Sequence, residues 1–252
     1  HKDSIYEVAI TTSHIITASR DQTLRVWLRS THRLVCAPLK GHTASVLCVV
    51  AHEPANLILS GGSDRCLIAW DLLTYNRKVI VVDAHADSIL CLAISDRIVG
   101  TGSKDKTIKI WDTGKLSSPS GRRDITPIAT LEGHTGAVNA IVMTHDTIIS
   151  VSGDRAIRVW DLATFQCTRV IGGYHERGIA TLTLLPDRVS IACGSKDGTV
   201  RIFSFRTGVE EACLREHSGL VRAICNISDR APLGPIPFTI ASGGYDGSVV
   251  IW

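Results

Sequence analysis

An all-β fold, a β-propeller of four-stranded blades, follows from three observations on this 252-residue chain. An Asp stands six residues before an aromatic six times: Asp21 and Trp27, Asp64 and Trp70, Asp105 and Trp111, Asp154 and Trp160, Asp197 and Phe203, Asp246 and Trp252. Successive Asp residues lie 43, 41, 49, 43 and 49 apart, and short strands at such a period mark propeller or solenoid arrays. Ahead of four of the six aromatics, apolar and polar residues alternate, as in Leu24-Arg25-Val26-Trp27 and Ile157-Arg158-Val159-Trp160. That is the period of a strand.

The repeats run approximately over 1–41, 42–84, 85–133, 134–174, 175–216 and 217–252, the last lacking an outer strand. In repeat one the strands are expected near Ile5–Ala9, Ile15–Ser19, Thr23–Trp27 and Arg33–Ala37. Repeats two and three are compact. The spacing from each aromatic to the next repeat's leading His is 15, 15, 23, 15 and 14 residues. The long step places an extended surface loop at Thr113–Arg123, read as a tolerated surface insertion, with a docking or phosphorylation site as the alternative. Repeat four is the most regular. Repeat five carries Cys193, Phe203 and Ser204 where a hydroxyl, a Trp and an Asp recur elsewhere. In repeat six, Pro232, Pro235 and Pro237 cannot lie within a paired strand and form a loop between its first two strands.

Two more positions recur. A hydroxyl stands four residues before the Asp at Thr17, Ser60, Thr101, Ser150 and Ser242, and a His stands 20–29 residues before it at His1, His42, His85, His134, His175 and His217. Together they suggest a buried chain in which the indole N–H donates, the hydroxyl relays, the imidazole bridges and the carboxylate accepts. The set occurs five times, among them His42, Ser60, Asp64, Trp70; His85, Thr101, Asp105, Trp111; and His134, Ser150, Asp154, Trp160, and only repeat five cannot form it. A hydrolase triad uses the same residue types. A triad occurs once per site, whereas this set recurs at constant spacing, which marks it as structural.

No other motif points to an enzyme. The chain has no Gly-rich phosphate loop ending in Gly-Lys-Ser/Thr, no His-Glu-x-x-His and no Cys-x-x-Cys, and no cofactor or metal is expected. The eight Cys are scattered; Cys48 and Cys91 fall at the same place in the first strands of their repeats and read as small core residues, and free buried Cys suits a reducing cytoplasmic or nuclear compartment. A net charge of +3 is too mild to imply nucleic-acid binding. No apolar run reaches membrane-spanning length.

These residues resemble the WD-repeat family, with Trp-Asp at Trp70-Asp71, Trp111-Asp112 and Trp160-Asp161. In a four-stranded meander, the turn between strands two and three emerges beside the loop that enters the next blade. Before each turn Asp stand Arg20, Ser63, Lys104, Gly153, Lys196 and Tyr245. At the start of each inner strand stand Tyr6, Leu47, Leu90, Asn139, Ala180 and Arg222, with Arg177 just ahead of its strand. A basic face beside the central channel is therefore expected, diluted by Asp3, Asp87 and Glu176.

Arg177-Gly178-Ile179-Ala180, Leu220-Val221-Arg222 and Tyr245-Asp246-Gly247 are similar to repeats of F-box/WD-repeat substrate receptors of the β-transducin repeat-containing protein type. The resemblance implies a seven-bladed ring and a substrate receptor of an SCF-type ubiquitin ligase that binds a phosphorylated peptide. Arg20, Arg177 and Arg222 would then hold phosphates, assisted by Lys104 and Ser63. Tyr6 and Tyr245 would frame the peptide and Asn139 would meet its backbone, with Leu90 and Ala180 lining the site. A ligase adaptor would bind through a segment outside this chain. The other reading is a scaffold propeller that assembles protein complexes without reading phosphate.

Overall fold

A computed structural model describes residues 1–95, 97–118, 125–227 and 239–252. Two compact units, His1–Gly133 and His134–Trp252, each hold three blades. The proline-rich stretch at 231–237 and the distal part of the repeat-three insertion, 119–124, lie outside the described residues.

In the first unit, blade one comprises β1 (Ile5–Ile10), β2 (His14–Ser19), β3 (Thr23–Leu28) and β4 (Leu39–Lys40). Blade two comprises β5 (Val46–His52), β6 (Leu57–Gly62), β7 (Leu67–Asp71) and β8 (Arg77–Val81). Blade three comprises β9 (Ile89–Ile94), β10 (Ile98–Ser103), β11 (Ile108–Asp112), the short helix α1 (Thr113–Ser117) and β12 (Ala129–Leu131). Each sheet is an antiparallel meander in chain order.

Aliphatic side chains fill the layer between successive blades. Leu24 and Val26 of blade one and Val46 and Val49 of blade two share one buried cluster. Leu67 and Ala69 share another with Ile89 and Leu92 of blade three. Leu24 and Val26 are alternating positions that the strand period set apart, and burying each aliphatic side chain stabilises by about 1.5–3 kcal/mol.

Two expectations need correction. The outer strand of blade one does not run over Arg33–Ala37: only an isolated bridge joins Trp27 to Leu34, and the paired strand is the two-residue β4. Pro38, immediately before β4, has no N–H to give to a ladder. The described start of the repeat-three insertion is helical rather than looped. Asp112 caps α1 by accepting a hydrogen bond from the Lys115 amide at 2.8 Å, and Leu116 is fully buried against blade two.

In the second unit, blade four comprises β13 (Val138–Met143), β14 (Thr147–Ser152), β15 (Ile157–Asp161) and β16 (Cys167–Ile171). Blade five comprises β17 (Ile179–Leu184), β18 (Ser190–Ser195), β19 (Thr199–Ser204) and β20 (Glu210–Arg215). Blade six has three strands, β21 (Val221–Asn226), β22 (Ile240–Gly244) and β23 (Val249–Ile251). Ile149, Val151, Leu182 and Ile191 build the layer between blades four and five. Val200, Ile202 and Val221 build the layer between five and six.

The turn between the second and third strands of each blade is built alike. The Arg65 amide bonds the Gly62 carbonyl at 3.2 Å, and Arg65 takes a φ of 65°. This is a tight turn followed by one left-handed residue. Gly198 and Gly247 adopt that conformation with no Cβ to strain it, whereas Gln22, Lys106 and Arg155 adopt it with a side chain.

Candidate protein-interaction face and the His–Asp networks

Each turn is stitched to the loop entering the first strand of its blade. The amides of Arg20, Ser63, Lys104, Gly153, Lys196 and Tyr245 donate to the carbonyls of Ser4, Ser45, Ser88, Ala137, Gly178 and Leu220 at 2.9–3.0 Å. Every inner strand then slips register by one residue, between Ile5 and Glu7, Val46 and Cys48, Ile89 and Cys91, Val138 and Ala140, Ile179 and Thr181, and Val221 and Ala223. The residues left over are Tyr6, Leu47, Leu90, Asn139, Ala180 and Arg222. A bulge bends its strand and re-aims the extra side chain, so these six positions are set by backbone geometry as well as by count.

In the first unit, Arg20 is exposed and reaches Asp3 at 3.7 Å, while Lys104 is exposed and reaches Asp87 at 3.5 Å. Ser63 is exposed, Tyr6 is 40% exposed, and Leu90 is half-buried. Nearby, Arg65 pairs with Asp83 at 2.7 Å. In the second unit, Arg177, Lys196, Arg222 and Tyr245 are exposed and Ala180 is half-buried. Asn139 is half-buried and turned inward, its Nδ2 donating to the Ile179 carbonyl at 2.7 Å. One N–H of that amide links blade four to blade five.

Beneath this face lie the networks. In blade four the Trp160 indole donates to Ser150 Oγ at 2.9 Å, Ser150 Oγ lies 2.8 Å from His134 Nε2, and His134 Nδ1 lies 2.8 Å from Asp154 Oδ2. Blade two repeats this with Trp70, Ser60, His42 and Asp64, and blade three with Trp111, Thr101, His85 and Asp105. Blade one uses Trp27, Thr17, His1 and Asp21, and blade six uses Trp252, Ser242, His217 and Asp246. One tautomer satisfies every member: Nδ1–H donates to the carboxylate and Nε2 accepts from the hydroxyl. The same Asp also accepts from the loop amide after the His and from its own turn, as Asp154 does from Thr135 N and Ala156 N.

Burial pushes the imidazoles of His85 and His134 below 6.5 although an Asp faces each. Burial works against the Asp105 carboxylate, yet hydrogen bonds from Thr107 and the His85 contact hold it down at about 2. Neutral imidazoles with ionised carboxylates make a cross-brace rather than an acid–base pair. Burial likewise keeps the thiols of Cys48, Cys91 and Cys193 well above their ordinary range, which removes them as nucleophiles. Among the described residues no His, Cys, Asp and Glu cluster could hold a metal ion, and no helix is long and apolar enough to cross a membrane.

The pH dependence of stability follows from these shifts. A His whose folded pKa lies below 6.5 takes up a proton more readily when unfolded, so stability falls as pH drops below 6.5. An Asp held at about 2 against an ordinary 3.8 favours the folded state above 3.8, and that contribution is lost as pH falls from 3.8 towards 2. Urea midpoints measured from pH 7.5 down to 3 are expected to decline in two stages. A flat profile would contradict the neutral-imidazole assignment.

Blade five is the exception. His175 Nδ1 still meets Asp197 at 3.1 Å, but Nε2 is buried without a partner among the described residues, facing the position where Cys193 replaces the hydroxyl. Phe203 is fully buried with Tyr174 packed edge-on at 5.1 Å, so the apolar contacts survive. A buried unmet polar atom costs roughly 1–3 kcal/mol. The double substitution Cys193→Ser with Phe203→Trp is expected to raise stability by about 1–2 kcal/mol and to slow amide exchange in β18 and β19. Destabilisation would show that the phenyl packing cannot accommodate the indole.

The model of the family described as WD domain, G-beta repeat matches residues 1–27, 33–71, 76–112, 125–161, 165–204 and 208–252. Each internal match spans the outer strand of one blade and the first three strands of the next. The chain is similar to mitochondrial division protein 1 of Neurospora crassa, 25% identical over 72% of this chain and 35% of the relative. It is also similar to mitochondrial division protein 1 of Kluyveromyces lactis, 27% identical over 79% of this chain and 32% of the relative. A third relative is the ribosome biogenesis protein YTM1 of Coccidioides immitis, 28% identical over 94% of this chain and 57% of the relative. The chain thus spans about a third of the first two relatives and little more than half of the third. With six matched repeats covering most of its length and a network-bearing blade behind five of them, the chain belongs to the WD-repeat family.

Proposed function

We propose that this chain is a protein-interaction scaffold, a propeller module on which protein complexes assemble. The observation that carries this reading is that the His, Ser/Thr and Asp residues are spent on buried braces, while the turns above them present exposed side chains. Relatives named for mitochondrial division and for ribosome biogenesis support a fold reused in different processes as a binding platform. A second reading is a substrate receptor of an SCF-type ubiquitin ligase that holds a phosphorylated peptide. The exposed Arg177 and Arg222 of the second unit and Arg20 of the first support it, because a guanidinium fork matches phosphate. The relatives named above support the scaffold reading rather than the receptor.

Cross-linking of the intact protein in cell extract, read by mass spectrometry, tests the proposal. Cross-links from Lys104 and Lys196 to other proteins are expected. Cross-links confined to the chain itself would oppose it. Phosphatase treatment of the extract separates the two readings: partners that stay bound favour the scaffold, and partners that are released favour the receptor.

A further inference from the structure

We infer that the turn face of the second unit, over blades five and six, is a docking surface for an anionic segment of a partner protein, and that the first unit takes no part in reading its charge. The inference rests on the protein-interaction reading above and narrows it to one surface.

Exposed cations occur on the turns of both units, but their surroundings differ. In the first unit three are each paired with an Asp at the same end of their blades, Arg20 with Asp3 at 3.7 Å, Arg65 with Asp83 at 2.7 Å and Lys104 with Asp87 at 3.5 Å, which leaves Lys106 on its turn and Lys2 as single exposed cations. In the second unit Arg177, Lys196 and Arg222 are exposed and form no side-chain hydrogen bond or ion pair among the described residues. Three unneutralised cations repel one another, and an incoming anion relieves that repulsion as well as forming new bonds.

Backbone contacts place these side chains on adjoining loops. The Lys196 amide donates to the Gly178 carbonyl, beside Arg177, at 3.0 Å. The turn holding Lys196 continues to Gly198, where a Cβ would lie 2.7 Å from the His217 carbonyl oxygen in the loop leading to Arg222. Arg222 is the bulged residue of β21. Tyr245, 75% exposed, is tied to Leu220 two residues before it at 2.9 Å. On the other side, a Cβ at Gly178 would lie 3.0 Å from Gly153 Cα of blade four. Glycine at both positions lets the loops of neighbouring blades close onto one another, which holds the side chains they carry side by side.

A protein segment fits this surface better than a nucleic acid. The chain carries a net charge of only +3, which gives little long-range attraction for a polyanion. One exposed Tyr is not a stacking platform for successive bases. Three cations on adjoining loops suit two or three anionic groups spaced along an extended peptide, whether carboxylates or phosphates.

The test uses the whole chain and an array of 12-residue peptides in three matched forms, with paired Ser, paired Glu or paired phosphoserine at the same positions. Hits are measured by fluorescence anisotropy at 50 and 200 mM salt, with inorganic phosphate and a single-stranded oligonucleotide as further probes. Anionic forms are expected to bind at least tenfold tighter than the Ser form. Arg177→Ala and Arg222→Ala should each weaken them tenfold or more, while Arg20→Ala and Lys104→Ala should change them less than twofold. Relative strengths of the Glu and phosphoserine forms identify which anion the surface takes. Equal losses from Arg20→Ala, or tighter binding of the oligonucleotide than of any peptide, would overturn the inference. Peptides or partners that bind without regard to charge, unaffected by the four variants, would overturn it while leaving the scaffold reading intact.

Discussion

Asp154→Ala is expected to cost about 3–5 kcal/mol of stability, although it removes one small, partly exposed side chain. The Asp154 carboxylate accepts from His134 Nδ1 at 2.8 Å, from the Thr135 amide at 2.9 Å and from the Ala156 amide at 3.0 Å. Truncation leaves three donors unmet. Each is worth roughly 1–3 kcal/mol when buried, and the two amides sit at the lower end because solvent reaches them. The loss also unties the loop entering β13 from the turn between β14 and β15, so blade four should open first. Asp161→Ala is the control. Asp161 accepts from the amides of Ala163 and Thr164 in an exposed turn, and its loss should cost about 1 kcal/mol. Urea titration of the two variants measures the difference. Equal costs would mean that the carboxylate of Asp154 is no more than a surface turn residue.

Gly61→Val should be as severe, for a steric reason. A Cβ at Gly61 in β6 would lie 2.6 Å from Ile89 Cγ2 of blade three and 2.8 Å from Cys48 Sγ. Both neighbours are buried, and Ile89 is β-branched, so neither can rotate away. Overpacking of this kind costs typically 1–3 kcal/mol and more where the backbone must part, and about 3 kcal/mol is expected here. Gly243 occupies the corresponding place in β22, opposite Ala223, and a Cβ there meets nothing within 4 Å. Gly243→Val should therefore be tolerated within about 0.5 kcal/mol, since a branched residue also suits a strand. Thermal midpoints of the two variants decide the matter, and a similar fall in both would refute the packing account.

Spacing alone made much of this structure legible. A hydroxyl, an Asp and a Trp can recur five times at fixed offsets, each with a His upstream, only if each set meets in space. The four-residue and six-residue offsets follow from adjacent strands joined by a tight turn. The strand period likewise marked Leu24, Val26, Ile157 and Val159 as residues of the layers between blades. What escaped was local chemistry that overrides the repeat. Pro38 withholds an N–H directly ahead of β4, and the outer strand of blade one is confined to the two residues after it. Asp112 caps a helical turn where length suggested only a loop.

The candidate face was legible in outline but not in charge. Residues ahead of each turn Asp could be counted out, yet whether each cation was already paired depends on loops that meet only after folding. Arg65 and Asp83 are far apart in the repeat, and their ion pair has no signature in spacing. The bulges that aim Tyr6, Asn139 and Arg222 are also silent in the residue pattern, because the extra residue shows only when two strands are set in register. Asn139 shows the consequence. The family resemblance implied contact with a peptide backbone, and the fold adds a bond from its Nδ2 to the Ile179 carbonyl of the next blade.

The central claim is that the recurring His–Asp sets are buried braces and not reactive groups. Nitrogen-15 NMR of the imidazoles of His85 and His134, recorded from pH 8 to 5 with selectively labelled protein, tests it most directly. The account predicts neutral rings throughout the folded range, protonated at Nδ1, with Nδ1–H protons that exchange slowly. Rings that titrate near 6.5 with rapid exchange would contradict it.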